Sequence, residues 1–367
     1  MLGGARLTID LEALAANYRL IRNAVSPAHV GGVVKADGYG LGAREVALTL
    51  TAQGCRHIFV AVLSEAETLA AIIADGISLY VLNGLMPGTE PQCARLGAIP
   101  VLNSIDQIAR WSAQAAALGR DLPAVLQVDT GMSRMGLPED ELDQLLADPA
   151  LLDRIELRLV ISHLACADEL SNPTNVMQWT RFREIARNFP GVPLALDNSG
   201  GAFHAREHFD LVRTGIALYG GAPHDGPNPM RPVITLEAGI AQLRTIPAGT
   251  GVGYGLTFKA QHTTTIATIP VGYADGLPRC LSNKAAGWIA GVRAPIVGSV
   301  SMDSMTLDVT HVPDKALYPG ASVELIGAHQ TLDQLAADAG TISYEILTQL
   351  GRRYQRVLLP AKAAILS

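Results

Sequence analysis

The stretch VVKADGYGLG, residues 33–42, poses the central question of this chain. Two valines close an apolar, β-type run, HVGGVVKA, which then meets Lys35 and a glycine-rich turn carrying Tyr39. A lysine at the end of a buried strand has a use where several strand ends surround one opening. Seven further runs of this kind follow up to residue 220: HIFVAVL, ISLYVLN, AIPVLN, AVLQVD, LRLVISH, PLALDN and DLVRTGIALYG. Between them lie segments such as SIDQIARWSAQAAALG (104–119) and PEDELDQLLADPALL (138–152). These carry apolar residues at three- and four-residue intervals behind Ser or Pro-Glu start signals. Continuous apolar strands alternating with amphipathic helices predict an α/β fold, a parallel sheet covered on both faces. Eight such units point to a closed (β/α)8 TIM-type barrel. An open doubly wound sheet is the weaker alternative, since no G-x-G-x-x-G follows the first strand.

The rhythm changes after GGAPHDGPNPMRP (220–232), whose Gly and Pro content reads as a linker. Beyond it, VITLEAGIAQLRTI, TTTIATIPVGYA and APIVGSV are β-rich, and a helical pattern returns only over 331–352. The expected organisation is a barrel over residues 1–230 and a C-terminal, mainly β domain with one late helix over 231–367. Hydrophobic residues at 49% and charged ones at 17% fit a compact globular chain. A net charge of -6 gives no electrostatic case for nucleic acid or an anionic membrane. No uncharged apolar run reaches the ~18 residues of a spanning helix. The opening MLGGARLTIDLEALAANY lacks the pattern of an export signal, so a cytoplasmic location is expected. Cys55, Cys93, Cys166 and Cys280 are widely spaced and suggest neither disulfides nor a zinc site.

In a (β/α)8 barrel, chemistry sits where strands end and βα loops begin. Lys35 follows strand 1, DTGMSRMG with Arg134 follows strand 5, and His163 ends strand 6. DNSGG with Ser199 follows strand 7, and Arg213 closes strand 8 in VRTGIALYG. Taken singly, these are a rim charge, a core histidine, ion-pair formers and a turn. Their joint placement at one mouth carries the argument. Glycine-rich loops after strands 7 and 8 suit a phosphate, bound by backbone N–H groups. A lysine across the same mouth suits a Schiff base with an aldehyde. Pyridoxal 5'-phosphate combines both features, and a sugar phosphate handled by a Schiff-base aldolase would also fit.

The motifs VVKADGYGLG, VDTGMSRMG, SHLACADE, DNSGG, VRTGIALYG, GVGYG, PVGYADGLPR, VGSVSMD and TISYE run over nearly the whole chain. Together they resemble the alanine racemases, pyridoxal-phosphate enzymes with an N-terminal barrel and a C-terminal β domain. The resemblance implies interconversion of L- and D-alanine, for cell-wall supply or D-alanine catabolism, with a broader-specificity or serine-preferring amino-acid racemase of the same family as the alternative. It implies that Lys35 carries the cofactor and serves one face of the substrate Cα. Tyr254 serves the other face, delivered from the second subunit of a homodimer. Inversion needs both, because a planar carbanion regains a proton only from a face that has a donor. A phenol ionises near ~10, so its use as a base at pH 7 costs about 4 kcal/mol; His163 and Arg213 would reduce that cost.

By the same resemblance Arg213 partners the pyridine nitrogen without giving up its proton, which favours racemisation over transamination. Tyr39, Ser199, Tyr344 and the amides of Gly215 and Ile216 hold the phosphate. Arg134 and the main-chain amide of Met302 bind the substrate carboxylate, and Tyr273 with Tyr344 narrows the entrance. Where many members carry a carbamylated lysine, this chain has Gln127, so Arg134 needs another means of orientation. Ser301 replaces a common Cys, and Asp37, Gly38 and Leu41 replace common Asn, Ala and His. A non-catalytic barrel protein would lack Tyr254 and Met302. A decarboxylase would want an opposing cysteine acid, and a D-threonine aldolase a metal site.

Overall fold

The computed structural model describes residues 4–361. Residues 1–3 and 362–367, the outer ends of the two sequence-assigned domains, lie outside that range. The described chain divides into two compact units: Ala15–Leu218 with Ala222–Pro229, and residues 4–14 with Tyr219–Gly221 and residues 230–361.

Strand β1, Ala5–Asp10, belongs to the second unit. The sequence reading placed residues 1–230 together, but β1 has alternating burial, as a strand half-covered by one core does. The first unit holds the eight strands read from the sequence: β2 His29–Val33, β3 His57–Val60, β4 Ser78–Val81, β5 Ile99–Leu102, β6 Leu122–Gln127, β7 Ile155–Ile161, β8 Leu194–Ala195 and β9 Leu211–Thr214. All pairings are parallel, in the order β8-β7-β6-β5-β4-β3-β2-β9. The barrel is thus nearly closed. At the seam the amide of Arg213 donates to Asp197 O at 2.9 Å.

The helix over Ile105–Leu118 starts where expected, with Ser104 accepting from the Gln107 amide, and stops at Gly119 in the left-handed conformation. The 138–152 segment is split: a helix over Glu139–Ala147 ends before Pro149, which opens a separate 3-10 turn over Pro149–Leu152. Next to Gly31 of β2, Phe59 and Tyr80 stack with ring centroids 4.5 Å apart. They have room because Gly31 has no side chain; a Cβ there would lie 2.6 Å from the Phe59 ring.

In the other unit, β10 Ile234–Gly239, β11 Gln242–Ile246, β12 Gly251–Val252, β13 Phe258–Lys259, β14 Thr264–Ile269, β15 Ala286–Ile289, β16 Val292–Pro295, β17 Met305–Asp308, β18 Ser322–Ile326 and β19 Gln355–Leu359 follow. They form a six-stranded sheet β16-β15-β18-β10-β1-β19, a three-stranded sheet β11-β14-β17 and the ribbon β12-β13. The single late helix expected over 331–352 is two, Leu332–Ala339 and Ser343–Gln349. Gly340, at φ 70°, ends the first in the left-handed conformation that a glycine adopts without strain. No helix of the described residues is long and apolar enough to cross a membrane.

Candidate active site

The barrel brings eight of the sequence-predicted residues to the ends of its strands. Beyond Lys35, the residues Ala36, Asp37, Gly38 and Tyr39 have φ of 53°, 54°, 61° and 55°, followed by Gly40 at 81°. This is one turn of left-handed helix, with the amides of Gly38 and Gly40 donating to Val34 O and Ala36 O at 2.8 Å each. For L-residues such a turn costs about 1–2 kcal/mol per residue, so the surroundings must hold it. Asp37 does part of this by accepting from the Ala43 amide at 2.9 Å, which also anchors the start of the helix over Ala43–Ala52. Gly38 has the Ala43 backbone about 3.0 Å from where a Cβ would lie, and Leu41 is buried. The three departures in this motif therefore have structural uses. Glu65 adds a second support, accepting from the Ala36 amide and from Ala61, each at 2.7 Å.

Lys35 is partly buried. Burial and the nearby Arg134 charge lower its pKa, while Glu65 pulls the other way. Arg134 itself is exposed and makes no hydrogen bond or ion pair among the described residues. Its loop is fixed beneath it, since the Asp129 carboxylate accepts from the amides of Gly131, Met132 and Ser133 at 2.8–2.9 Å. Gln127 is buried and donates its side-chain amide to Met135 O at 3.2 Å. It thus holds the loop rather than the guanidinium.

Arg213 points into the barrel and is only 4% exposed. Its guanidinium donates to Ala195 O at 2.7 Å and to Ser162 O at 2.5 Å, and lies 3.3 Å from Nδ1 of His163. Burial lowers its pKa to about 10 against the opposing pull of Asp197, so it stays a cation at neutral pH. His163 is pushed down to about 3 by burial, then by Arg213, Arg134 and Lys35. It is therefore neutral, and with Nδ1 accepting from Arg213 its proton sits on Nε2. Asp197 stands behind this group, buried and paired with Arg206 and His208 at 2.5 and 2.7 Å.

Across the mouth, Ser199 Oγ accepts from the amides of Gly215 and Ala217 at 2.9 and 3.4 Å and lies 3.2 Å from Thr214 Oγ1. The Tyr39 hydroxyl lies 2.1 Å from where a Cβ on Gly215 would be. Only glycine leaves that space. Ile216 follows at the start of a short 3-10 turn, Ile216–Tyr219. The Tyr39 and Ser199 hydroxyls border this loop as a candidate oxyanion cradle, with the Gly215 and Ala217 amides turned to Ser199 Oγ.

The other three predicted residues belong to the β unit. Tyr254 stands on the loop between β12 and β13, flanked by Gly253 and Gly255 at φ 72° and 69°. Its carbonyl accepts from Ser299 Oγ at 3.0 Å, while the residue is 75% exposed. Tyr254 and Ser301 line one cleft with Gly253, Ser299 and Ser304. Met302 is 53% exposed, and its own N–H has no partner among the described residues. The Met302 and Tyr273 loops are laced together, Tyr273 N to Ser301 O and Ala274 N to Met302 O at 3.0 Å each. Arg353 bridges them by donating to both oxygens of Asp275, at 2.7 and 2.8 Å, and to Asp303 at 2.5 Å. Tyr344 is exposed on the helix Ser343–Gln349.

Sequence reasoning missed Glu65, Asp129 and Arg353. Glu65 in LSEAETLA reads as an ordinary first-turn acid of its own helix. Its bond to the segment after Lys35 spans 29 residues and leaves no local signal.

Two family models match the chain: alanine racemase, N-terminal domain, over residues 9–223, and alanine racemase, C-terminal domain, over residues 233–358. A catabolic alanine racemase of Rhizobium johnstonii is 52% identical over 95% of this chain and 93% of its own. An alanine racemase of Brucella canis is 50% identical over 96% and 93%. Among solved structures, the alanine racemase of Bartonella henselae with covalently bound pyridoxal phosphate superposes with a TM-score of 0.94 at 42% identity, covering 97% of this chain and 99% of that one. That of Streptomyces coelicolor gives 0.92 at 32% identity, covering 98% of each.

Proposed function

The chain belongs to the alanine racemase family, and from that premise we propose that it is a pyridoxal-phosphate-dependent isomerase interconverting L- and D-alanine. One observation carries this reading: a lysine amine, a buried arginine cation, a neutral histidine and an oxyanion cradle share one barrel mouth.

The residues present fit the cofactor. The cradle of Tyr39, Ser199, Gly215 and Ile216 suits its phosphate, and the space at Gly215 is one that a Cβ would fill. The Arg213 bonds run through its terminal nitrogens and leave Nε for a ring nitrogen. Pyridoxal phosphate, when bound, supplies the electron sink that lets a Cα proton leave.

The chain's own groups then move that proton. Lys35, its pKa lowered, holds or accepts it on one face of Cα. Tyr254 serves the opposite face. Its exposure on a fixed loop supports a role at the barrel of a second copy, which makes the enzyme a homodimer. Arg213 would hold the ring nitrogen through a hydrogen bond while keeping its own proton, so it would not add a proton to the ring. His163 stays neutral and offers its Nε2 proton to the network around the base. Arg134 and the Met302 amide take the substrate carboxylate, and Tyr273 and Tyr344 restrict the entrance to a small amino acid. Four free cysteines support a reducing, cytoplasmic setting.

The test combines absorbance near ~420 nm, where a lysine-bound pyridoxal absorbs, with a D/L interconversion assay on alanine and serine. Both signals are expected, with alanine preferred. Absorbance without interconversion would overturn the racemase reading.

A further inference from the structure

We propose that Glu65 is a positioning residue for Lys35, holding the strained turn that follows the lysine. This rests on the reading of Lys35 as a catalytic group. The β2–β3 ladder ends at Val33 opposite Phe59, with one more bond from the Val34 amide to Phe59 O at 2.8 Å. The next amide with a partner, that of Ala36, meets a side chain and not a β3 carbonyl. The Glu65 carboxylate takes over: Oε1 accepts from the Ala36 amide at 2.7 Å, and Oε2 accepts from Ala61 at 2.7 Å and Val62 at 3.4 Å. One side chain thus continues the junction of the two strands for another step.

The step it adds is where support is needed. Ala36 is the first residue of the left-handed turn, and Ala36, Asp37 and Tyr39 are L-residues held at positive φ. Each would relax to a right-handed or extended conformation if released. Relaxation at Ala36 changes the direction of the adjoining Lys35 side chain, because the two share a peptide plane. Glu65 also carries the one charge that opposes burial and Arg134 at the Lys35 amine. Loss of its charge therefore affects proton transfer on the lysine face more than on the opposite one.

The experiment uses holoenzyme of Glu65→Gln and Glu65→Asp, compared with the unaltered protein at equal cofactor content. Gln keeps the size but puts an NH2 group opposite one set of amides, which then has no acceptor. Two readings are taken: Cα-deuterium isotope effects on kcat for L- and D-alanine, and hydrogen exchange at the Ala36 and Ala61 amides. In Glu65→Gln, kcat should fall about tenfold, the loss of one charged hydrogen bond. The two isotope effects should move in opposite directions, since only one of two proton transfers is slowed. Exchange of at least one of the two amides should quicken about tenfold. Glu65→Asp, which keeps the charge with shorter reach, should recover part of each change.

A folded Glu65→Gln with both isotope effects unchanged would overturn the proposal, whether kcat is intact or reduced equally for both enantiomers. If that variant does not fold, Glu65→Asp decides on the same readings. Amide exchange needs no turnover. Absence of racemisation by the unaltered enzyme therefore sinks the functional reading alone, and unchanged exchange sinks the inference alone.

Discussion

At the barrel mouth, Arg213 and Ser199 of the proposed site are buried and tied in by hydrogen bonds; in the β unit, Tyr254 and Met302 on loops and Tyr344 on a helix face solvent. Arg213 is 4% exposed and bonded to three carbonyls, whereas Tyr254 is 75% exposed and, among the described residues, only its carbonyl is held. Burial perturbs protonation in the first case: His163, Arg213 and Lys35 are all shifted down. The difference separates two tasks. Under the proposed function, the barrel is the part that prepares the cofactor and one base before substrate arrives, and the β unit is the part that presents groups to a second copy.

Variants of the two bases should divide along this line. If the proposed roles hold, Lys35→Ala should abolish both the absorbance at ~420 nm and racemisation, because one amine then holds the cofactor and moves the proton. Tyr254→Phe should keep the absorbance and lose roughly 10²–10⁴-fold in kcat, the usual worth of a general acid–base group. A Tyr254→Phe enzyme that lost its cofactor would break the division, as would one that racemised at the full rate.

Gly215→Ala probes the cradle. Its backbone tolerates alanine, since φ is not positive, but the new Cβ would meet the Tyr39 hydroxyl at 2.1 Å. One of the two must shift, so affinity for pyridoxal phosphate should fall about 100-fold, comparable to ~3 kcal/mol of lost phosphate hydrogen bonds. Titration of the apoenzyme followed by absorbance checks this. Undiminished affinity would move the phosphate elsewhere.

Protonation gives a test without turnover. The folded-state pKa of His163, about 3, lies well below the ordinary histidine value, so the unfolded chain takes up this proton first as the solution is acidified. Stability contributed by the neutral ring is fully present above ~6.5 and is lost as pH falls toward 3. Between pH 7 and pH 5 the enzyme should lose about 2 kcal/mol more than His163→Gln, read from urea midpoints. An equal loss in both proteins would mean that His163 titrates normally.

The barrel was legible because its signal is periodic. Continuous apolar runs and glycine turns repeat along the chain, and Lys35, His163 and Ser199 follow such runs directly. The placement of β1 was not legible, because a half-buried strand near the start of a chain does not say which sheet it joins. Its partners, β10 and β19, come more than 200 residues later. Glu65 and Asp129 escaped for a related reason. Both act through carboxylate bonds to loop amides, and an acid in a loop or first helical turn has the same sequence appearance whether or not it supports a site. Gln127 could be seen to differ from a carbamylated lysine, but its bond to Met135 O could not.

The smallest expected effect lies in the β unit and tests how far its exposed groups are prepared at all. Arg353 joins Asp275, which accepts from the Gly272 amide at 2.9 Å, to Asp303, the neighbour of Met302. The same arginine therefore links the Tyr273 loop to the loop whose amide is assigned to the substrate carboxylate. Because Arg353 is exposed, water and salt screen much of this bridge, and other bonds between the two loops remain. Arg353→Gln should raise KM for alanine about two- to fivefold, with kcat little changed, the pattern of a lost uniform binding contribution. Added salt should weaken the unaltered enzyme toward the variant and leave the variant almost unaffected. A large fall in kcat would instead show that the β-unit loops carry proton-transfer geometry as the barrel does, and the division between the two regions would have to be redrawn.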